Sequence, residues 1–265
     1  MNIWEKMINY FTELGISRGL AITYIIVSAL IVIMAVLVVV MRIYLMFAYQ
    51  KGNKQETHSG KTSNEVARDA LDKAGLKHIQ VRKAGLLRAF VYGNCYSITK
   101  KTIFLRRGIY NKNSITAVAM ALQKVGVAKM CESGDVKTRT RNIMQILSLF
   151  GPLLFIPFAV LGFAIDYLLF NSVGVFSAIG LAMAWILVIA GFVATMLNLP
   201  VEKKANNVAL EIIKKTGVLT EDEIAVVKKV FKAYIVSYVC EFIVAVLRIV
   251  QIVLEIIMNS QIKKN

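Results

Sequence analysis

Histidine and cysteine, the side chains that most often bind zinc in proteins, are scarce in this sequence of 265 residues. The two histidines are His58 and His78, and the three cysteines stand at positions 95, 131 and 240, with no two at a spacing typical of a metal site. An odd and scattered set of thiols argues against a disulfide framework and favours a reducing or in-membrane setting. The cysteines and histidines on their own therefore predict neither a metal centre nor disulfide bonds.

Acidic residues are also few, because 16 Asp and Glu stand against 32 Lys and Arg, which gives a net charge of +16. No nucleic-acid-binding motif accompanies the basic residues, and aromatic residues are sparse among them. A basic surface close to a membrane gains about 1 kcal/mol per Lys or Arg near anionic lipid headgroups. We therefore predict the lipid bilayer and its anionic headgroups as partners, and we expect no nucleic acid.

The composition is too apolar for a soluble domain, with 57% hydrophobic residues and a mean hydropathy of +0.62. Four long apolar runs, at about 20–41, 143–170, 172–201 and 233–258, each reach the roughly 20 residues that cross a bilayer. The short link at 171–174 makes a hairpin of the second and third runs. The segment before the first run has balanced charge and an amphipathic pattern, so we predict a signal anchor preceded by an interfacial helix.

Charge predicts the orientation of these runs. Residues 49–142 contain 19 Lys or Arg and six Asp or Glu, and residues 202–232 contain seven and five, so both segments are expected in the cytoplasm. The predicted fold is a polytopic α-helical membrane protein of about four transmembrane helices with a small cytoplasmic α+β domain. The predicted order is a leader with the first span (1–48), a basic α+β domain (49–142), a transmembrane hairpin (143–201), cytoplasmic helices (202–232) and a fourth span with the tail (233–265).

Local sequence patterns predict the secondary structure of the cytoplasmic domain. Thr62 or Ser63, followed by Glu65, forms a helix-capping signature, and Ser114 caps an amphipathic helix over about 115–130. Short segments rich in β-branched and aromatic residues between 78 and 105 predict a small antiparallel sheet, with LLRAFVY as one of its strands. Residues 131–141, CESGDVKTRTR, are expected to be a basic linker.

Four ionisable residues fall inside the predicted spans: Asp166, Glu241, Arg248 and Glu255. The last three are seven residues apart, so they share one face of the fourth helix, where such side chains usually face a bundle interior or a wet cavity. The pattern fits a polar pathway or partner site. It fits better an ion-pair ladder within the bundle that extends to Asp166.

Four sequence blocks, in order along the chain, carry a family resemblance: TSNEVARDALDKAGLKHIQV, SITKKTIFL, LNLPVEKKANNVAL and TGVLTEDEIAVVKKVFKAYIVSYV. The family patterns that they match are T-G-x-E-V-A-R-x-x-L-D-x-x-G-L, Y-D-P-R-x-K-x-V-x-L, L-P-V-E-F-D-A-S-x-R-A and G-x-L-T-x-x-E. With these blocks in register, the sequence resembles the bacterial integral-membrane zinc metallopeptidases of the YugP type. The resemblance implies a metallopeptidase-like cytoplasmic domain in a bacterial plasma membrane.

The family's zinc motif, A-A-H-E-V-G-H, falls on a stretch that here reads ALQKVGV. The resemblance therefore places Gln123 and Val127 at the two histidine positions, Lys124 at the catalytic glutamate, and Glu202 at the third ligand. Catalytic zinc takes about three protein ligands and an open position for water, and a lysine cannot act as the carboxylate base. We expect no catalytic residues, no cofactor, and Glu202 as a vestigial ligand; zinc is expected only if the family function is retained.

The surviving carboxylate of Glu202 has two interpretations. A salt bridge to Lys124 or Lys203 fills the charge role of the metal, or Glu202 is an ordinary acid at the membrane–water boundary. The hypothesis for the protein is a degenerate homologue that is non-catalytic and binds or regulates peptides or membrane proteins, taking an extended peptide along the KKTIFL strand. The alternatives are an active metallopeptidase with an unrecognised ligand set around Glu202 and His78, and a structural protein that binds anionic lipid. Whether the protein is an enzyme stays open, and the replaced motif favours a non-enzyme.

Overall fold

The computed structural model describes residues 2–171 and 174–262, and within this part it describes no side chain for residues 91, 145–156, 158 and 159. The helices are α1 (Ile3–Glu13), α2 (Arg18–Asn53), α3 (Ser63–Lys73), α4 (Leu86–Tyr92), α5 (Arg107–Tyr110), α6 (Ile115–Glu132), α7 (Val136–Phe170), α8 (Val175–Thr216) and α9 (Glu221–Ile262). The strands are β1 (Gln80–Lys83), β2 (Cys95–Ser97) and β3 (Thr102–Leu105). The middle of the predicted hairpin turn, residues 172 and 173, lies outside the described residues.

Two helices in the described part, α2 and α8, are long and apolar enough to cross a bilayer, and Val160–Phe170 is a shorter apolar stretch in the second predicted run. Large apolar side chains along these helices are exposed, for example Val32, Val36, Leu168 and Ile186. Such an extent of exposed apolar surface is typical of contact with lipid rather than with water. The structure supports membrane association, whereas four spans and their orientation stay predictions.

The chain divides into two compact units, residues 1–44 with 236–265 and residues 45–235. In the first unit, α1 is the helix that the leader predicted, and Ile8 is buried. Apolar contacts among Val27, Ile31 and Leu254 join α2 to the last part of α9. The chemistry that the family motif implies falls in the second unit.

The three charged residues of the fourth apolar run each have a local partner in the first unit. Glu241 pairs with Arg42 at 3.0 Å, and Glu255 accepts a hydrogen bond of 3.0 Å from the Tyr24 hydroxyl. Arg248 donates to Gln251 one turn further along the same helix, at 3.1 Å. The bonds made by Glu241 and Glu255 join α9 to α2; the depth of these residues in a membrane stays a prediction.

Asp166 has a role that the sequence did not predict. Its carboxylate, at the end of α7, accepts backbone N–H bonds from Gly174 at 2.8 Å, Ser177 at 2.6 Å and Phe176 at 3.3 Å. The first N–H groups of a helix have no partner within the helix, so this carboxylate completes the start of α8. The bond pattern is that of a helix cap.

The sheet of the second unit is mixed, where an antiparallel sheet was predicted. β3 lies in the centre and pairs in parallel with β1, with Gln80 opposite Thr102, and antiparallel with β2, with Cys95 opposite Phe104. Because both sides of β3 are occupied, the strand within KKTIFL cannot accept an added peptide strand. Among the described strands, the edges open to such an addition belong to β1 and β2.

The predicted strand LLRAFVY is wrong, because these residues form α4. Leu86, Leu87 and Phe90 share one face of this short helix, while Arg88 stacks on the ring of Phe104 with 4.0 Å between the guanidinium carbon and the ring centre. Apolar residues three and four apart fit a helical period as well as an apolar strand, and length alone could not decide between them. The helix ends at Gly93, whose φ of +64° is costly for any residue with a side chain.

α6 was predicted to be amphipathic, and this was wrong, because every residue from Ile115 to Ala128 is buried. The helix is the centre of a core to which α3, the sheet, α5, α8 and the beginning of α9 also contribute. A helix that is covered on all sides needs an apolar composition all round. Any polar side chain on α6 must therefore find a partner inside the protein.

Candidate functional site

The altered motif and the surviving glutamate meet in the core of the second unit. Glu202 on α8 is buried, and its Oε2 accepts a hydrogen bond of 2.7 Å from Nε2 of Gln123 on α6. The same amide nitrogen also donates to Oδ1 of Asn206, one turn further along α8, at 2.7 Å. The residue at the first histidine position that the resemblance implies is thus in direct contact with Glu202, at the third ligand position that it implies.

Two cations hold the other carboxylate oxygen. Arg141 on α7 donates from Nη2 to Oε1 of Glu202, and Nζ of Lys124 lies 3.6 Å from the same oxygen. All three side chains are at least nine-tenths buried. A carboxylate between two cations satisfies the requirement that buried charges be paired and hydrogen-bonded. We call Gln123, Lys124, Arg141, Glu202 and Asn206 the Glu202 cluster.

Arg141 was not identified from the sequence, because it lies in the segment that was predicted to be a linker. This segment instead begins α7, with Asp135 as the N-cap accepting from the Thr138 N–H at 3.0 Å. Hydrogen bonds from Lys204 and Thr138 lower the pKa of Asp135 to about 2. Lys204 thus ties α8 to the beginning of α7, whereas its neighbour Lys203 is exposed and takes no part in the Glu202 cluster.

The close approach of α6 to α8 depends on the small residue of the motif. A Cβ on Gly126 would lie 3.0 Å from the carbonyl oxygen of Ala205 and 3.4 Å from the Val208 side chain. Glycine at this position therefore lets the two helices pack closely enough for Gln123 to reach Glu202. Val127, at the second histidine position, is buried in the apolar core.

The Glu202 cluster contains two basic side chains, Lys124 and Arg141, and one acidic side chain, Glu202. Burial lowers the pKa of Lys124; Glu202 opposes this shift by raising that pKa, and Arg141 adds to it. With Lys124 protonated, the three ionised groups sum to one positive charge, and with Lys124 neutral they balance. Both states leave the carboxylate of Glu202 fully engaged by donors of the protein.

These residues do not fit a catalytic zinc ion. Zinc takes thiolates, imidazoles and carboxylates, and the Glu202 cluster offers one carboxylate whose two oxygens already accept bonds from Gln123 and Arg141. Lys124 and Arg141 would each repel a dication at that place. Across residues 2–171 and 174–262 no group of three or more His, Cys, Asp or Glu side chains is arranged to hold a metal.

The histidines that an unrecognised ligand set would need lie elsewhere. His78 is 3.4 Å from the carboxylate of Glu132, which also accepts from Tyr96 at 2.7 Å and from Lys101 at 2.6 Å. Glu132 is nine residues beyond Gln123 on α6, which corresponds to about 13 Å of helix. The side chain of His58 is exposed, and its backbone N–H donates to Glu223 at 2.6 Å. The structure brings neither histidine into the Glu202 cluster.

A cavity of about 250 Å³ lies beside the edge strand β2. Its walls include Arg88 and Tyr92 of α4, Cys95–Ser97 of β2, residues 98–100 of the following turn, and Asn142 and Ile143 of α7. Asn142 accepts a bond of 3.0 Å from Arg141, so the cavity wall is one hydrogen bond away from the Glu202 cluster. Lys124, Arg88 and Arg141 all act electrostatically on the Cys95 thiol, but burial dominates and raises its pKa. The cavity therefore combines apolar walls with a positive end.

Comparisons with known proteins agree with the resemblance that the sequence blocks suggest. Residues 25–257 match the family described as "Putative neutral zinc metallopeptidase". The chain is 28% identical over 211 residues to the "Putative membrane protease YugP" of Bacillus subtilis (strain 168). The aligned region covers 78% of this chain and 85% of that protein. No solved structure matches the chain. Since the family match spans most of its length, this chain belongs to that zinc metallopeptidase family.

Proposed function

We propose that this protein is a non-catalytic member of its family that binds extended peptide segments of other membrane proteins and regulates them. The observation that carries the proposal is the Glu202 cluster, where Arg141 and Lys124 hold the carboxylate that matches the family's third zinc ligand. A cationic cluster of this kind keeps the helices α6, α7 and α8 joined without a metal. It leaves no carboxylate base next to a water molecule, which peptide hydrolysis by this family's chemistry requires.

The edge strand β2 is the part of the framework that suits peptide binding. An extended peptide adds to an exposed strand edge through main-chain hydrogen bonds, and neighbouring pockets receive alternate side chains. β2 has one side paired with β3 and lies along the cavity of about 250 Å³. These two features favour β2 over the central strand within KKTIFL as the strand to which the peptide adds. The apolar walls of the cavity, Tyr92, Ile98 and Ile143, suit an apolar side chain of such a peptide.

Site-specific photocrosslinking tests this placement in intact membranes. A photoreactive amino acid at Ser97, on β2 and in the cavity wall, is expected to crosslink to a defined protein. The matched control carries it at Gln80, which is exposed on β1 at the opposite edge of the same sheet. A crosslink that is equally strong at Gln80, or absent at Ser97, would contradict peptide binding at β2.

A protease assay separates this proposal from the enzymatic alternative. The purified protein, incubated with unfolded membrane-protein substrates, is expected to yield no cleavage that a zinc chelator abolishes. Chelator-sensitive cleavage by the purified protein, lost on Glu202→Gln but kept on Lys203→Gln, would show an active metallopeptidase and overturn the non-catalytic assignment.

A further inference from the structure

The most exposed apolar side chains of the described residues lie together on α4. Leu86 is 90% exposed, Leu87 is 80% exposed and Phe90 is 88% exposed, more than any other large apolar side chain in that part of the chain. Exposed apolar groups scattered singly are normal on protein surfaces, but three large ones on one seven-residue helix form a patch. A patch of this kind is typical of a surface that another molecule covers.

The helix α4, which carries these exposed side chains, is held to the rest of the domain by defined contacts. The opposite face of α4 is fixed to the sheet by Arg88, whose guanidinium stacks on Phe104 of β3 at 4.0 Å. Nε of Arg106 donates to the carbonyl of Ala89 at 3.2 Å. Because its inner face is held this way, α4 presents the apolar face outward as a fixed feature of the domain.

The charge around α4 indicates the chemistry of the partner. No Asp or Glu occurs between Asp72 and Glu132, while twelve Lys or Arg do, so this part of the domain is uniformly basic. Arg82 and Lys83, just before α4, are exposed on β1. Apolar side chains flanked by basic ones are the combination with which interfacial helices bind membranes that contain anionic lipids.

We infer that α4 is a membrane-contact element: Leu86, Leu87 and Phe90 enter the interfacial region of a bilayer, and Arg82 and Lys83 bind its anionic headgroups. The same compact unit contains α8, which is long and apolar enough to cross a bilayer, so α4 belongs to a domain that is tied to a membrane. The cavity beside β2 is lined by Arg88 and Tyr92 of α4 and not by Leu86, Leu87 or Phe90, so the apolar face of α4 has no part in that cavity. The inference does not depend on the proposed peptide binding at β2.

Quenching of a single tryptophan by brominated lipids tests this inference in the full chain. Both native tryptophans, Trp4 and Trp185, are replaced by phenylalanine, and Phe90→Trp provides the reporter. The control carries Lys73→Trp instead, at an exposed position of α3 in the same domain. Each protein is reconstituted in vesicles with and without anionic lipid, with bromine close to the headgroups.

We expect the fraction of emission that is quenched to be several-fold larger for Phe90→Trp than for Lys73→Trp. The quenching of Phe90→Trp should decrease when the anionic lipid is replaced by a zwitterionic one. Emission of Phe90→Trp that is unquenched in both lipids would overturn the inference, and it would point to a protein partner or to plain exposure to water. Equal quenching of the two reporters would also overturn it, since the whole domain would then lie on the bilayer without a special role for α4.

Discussion

Replacing Glu202 by glutamine removes the anion that lies between two buried cations while keeping the shape of the side chain. Nζ of Lys124 is 3.6 Å from Oε1 of Glu202. Coulomb attraction at that distance is about 5 kcal/mol at an effective dielectric constant of about 20. Breaking a buried ion pair from one side typically costs about 3–5 kcal/mol, because the partner is left buried and unpaired. We expect Glu202→Gln to lower the free energy of unfolding by an amount in this range.

The pH dependence of this loss separates charge from packing. Burial already lowers the pKa of Lys124 below its ordinary value of 10.5, and without Glu202 that pKa falls further. Between the folded and the unfolded pKa the unfolded chain binds more protons, so stability rises with pH in that window. The deficit of Glu202→Gln relative to the native protein should therefore shrink as the pH rises from the folded pKa of Lys124 in the variant to the higher folded pKa in the native protein, both of which lie below 10.5.

Thermal unfolding of the detergent-purified protein measures both effects. A loss of about 3–5 kcal/mol corresponds to a fall in Tm on the order of 10 °C for a chain of this size. Lys203→Gln, on the same helix but exposed, is the matched control and should change stability by less than about 0.5 kcal/mol. All variants are compared at one scan rate, since large proteins often unfold irreversibly. If Glu202→Gln melts with the control, or if its deficit does not vary with pH, the Glu202 cluster does not carry the paired charges described above.

Three further predictions address other parts of the fold. Burial favours the neutral form of Glu132, but hydrogen bonds from Lys101, Tyr96 and His78 outweigh burial and lower the pKa of Glu132 to about 2. Glu132→Gln should therefore lower the free energy of unfolding by up to about 3 kcal/mol at pH 7. Thermal melts at a series of pH values should show this difference disappear as the pH falls from about 4.5 to 2. Gly126→Ala places a methyl group 3.0 Å from a carbonyl of α8 and should cost about 1–3 kcal/mol. Denaturant titration measures this cost, with Gly108→Ala as the control, because a Cβ at Gly108 would meet no atom within 4 Å. Asp166→Ala removes the cap of α8 and should cost about 1 kcal/mol in the same titration, and an unchanged midpoint would show that the backbone N–H groups find other partners.

The sequence predicted the parts of the fold that depend on long or regular patterns. The long apolar helices α2 and α8 and the capped helices α3 and α6 follow from hydrophobic length and from capping residues, which are local signals. The short segment LLRAFVY was misassigned because seven residues are too few to separate a helical period from a strand. The parallel pairing of β1 with β3 depends on contacts between distant segments, which no local pattern contains.

The candidate site could be predicted where the family resemblance matched positions of this chain to positions of the family motif. Gln123, Lys124 and Glu202 were named from it, and the structure brings these three side chains together. Arg141 was missed because a basic residue in a segment read as a linker looks like any solvated arginine. The signal that could have found it is the sequence SGD before VKTRTR, in which Asp135 is a helix cap, so that Arg141 falls in the second turn of a helix rather than in a loop. Whether the side chain points inward depends on tertiary packing.

The zinc content of the purified protein shows whether the altered motif holds a metal. Elemental mass spectrometry is applied to the native protein and to a variant with the family motif restored, Gln123→His, Lys124→Glu and Val127→His, alone and with Arg141→Ala, because Arg141 would compete with the metal for Glu202. We predict a native protein without stoichiometric zinc and about one zinc per chain in a restored variant. Stoichiometric zinc in the native protein, lost on Glu202→Gln, would contradict this prediction and show that the altered motif still holds a metal.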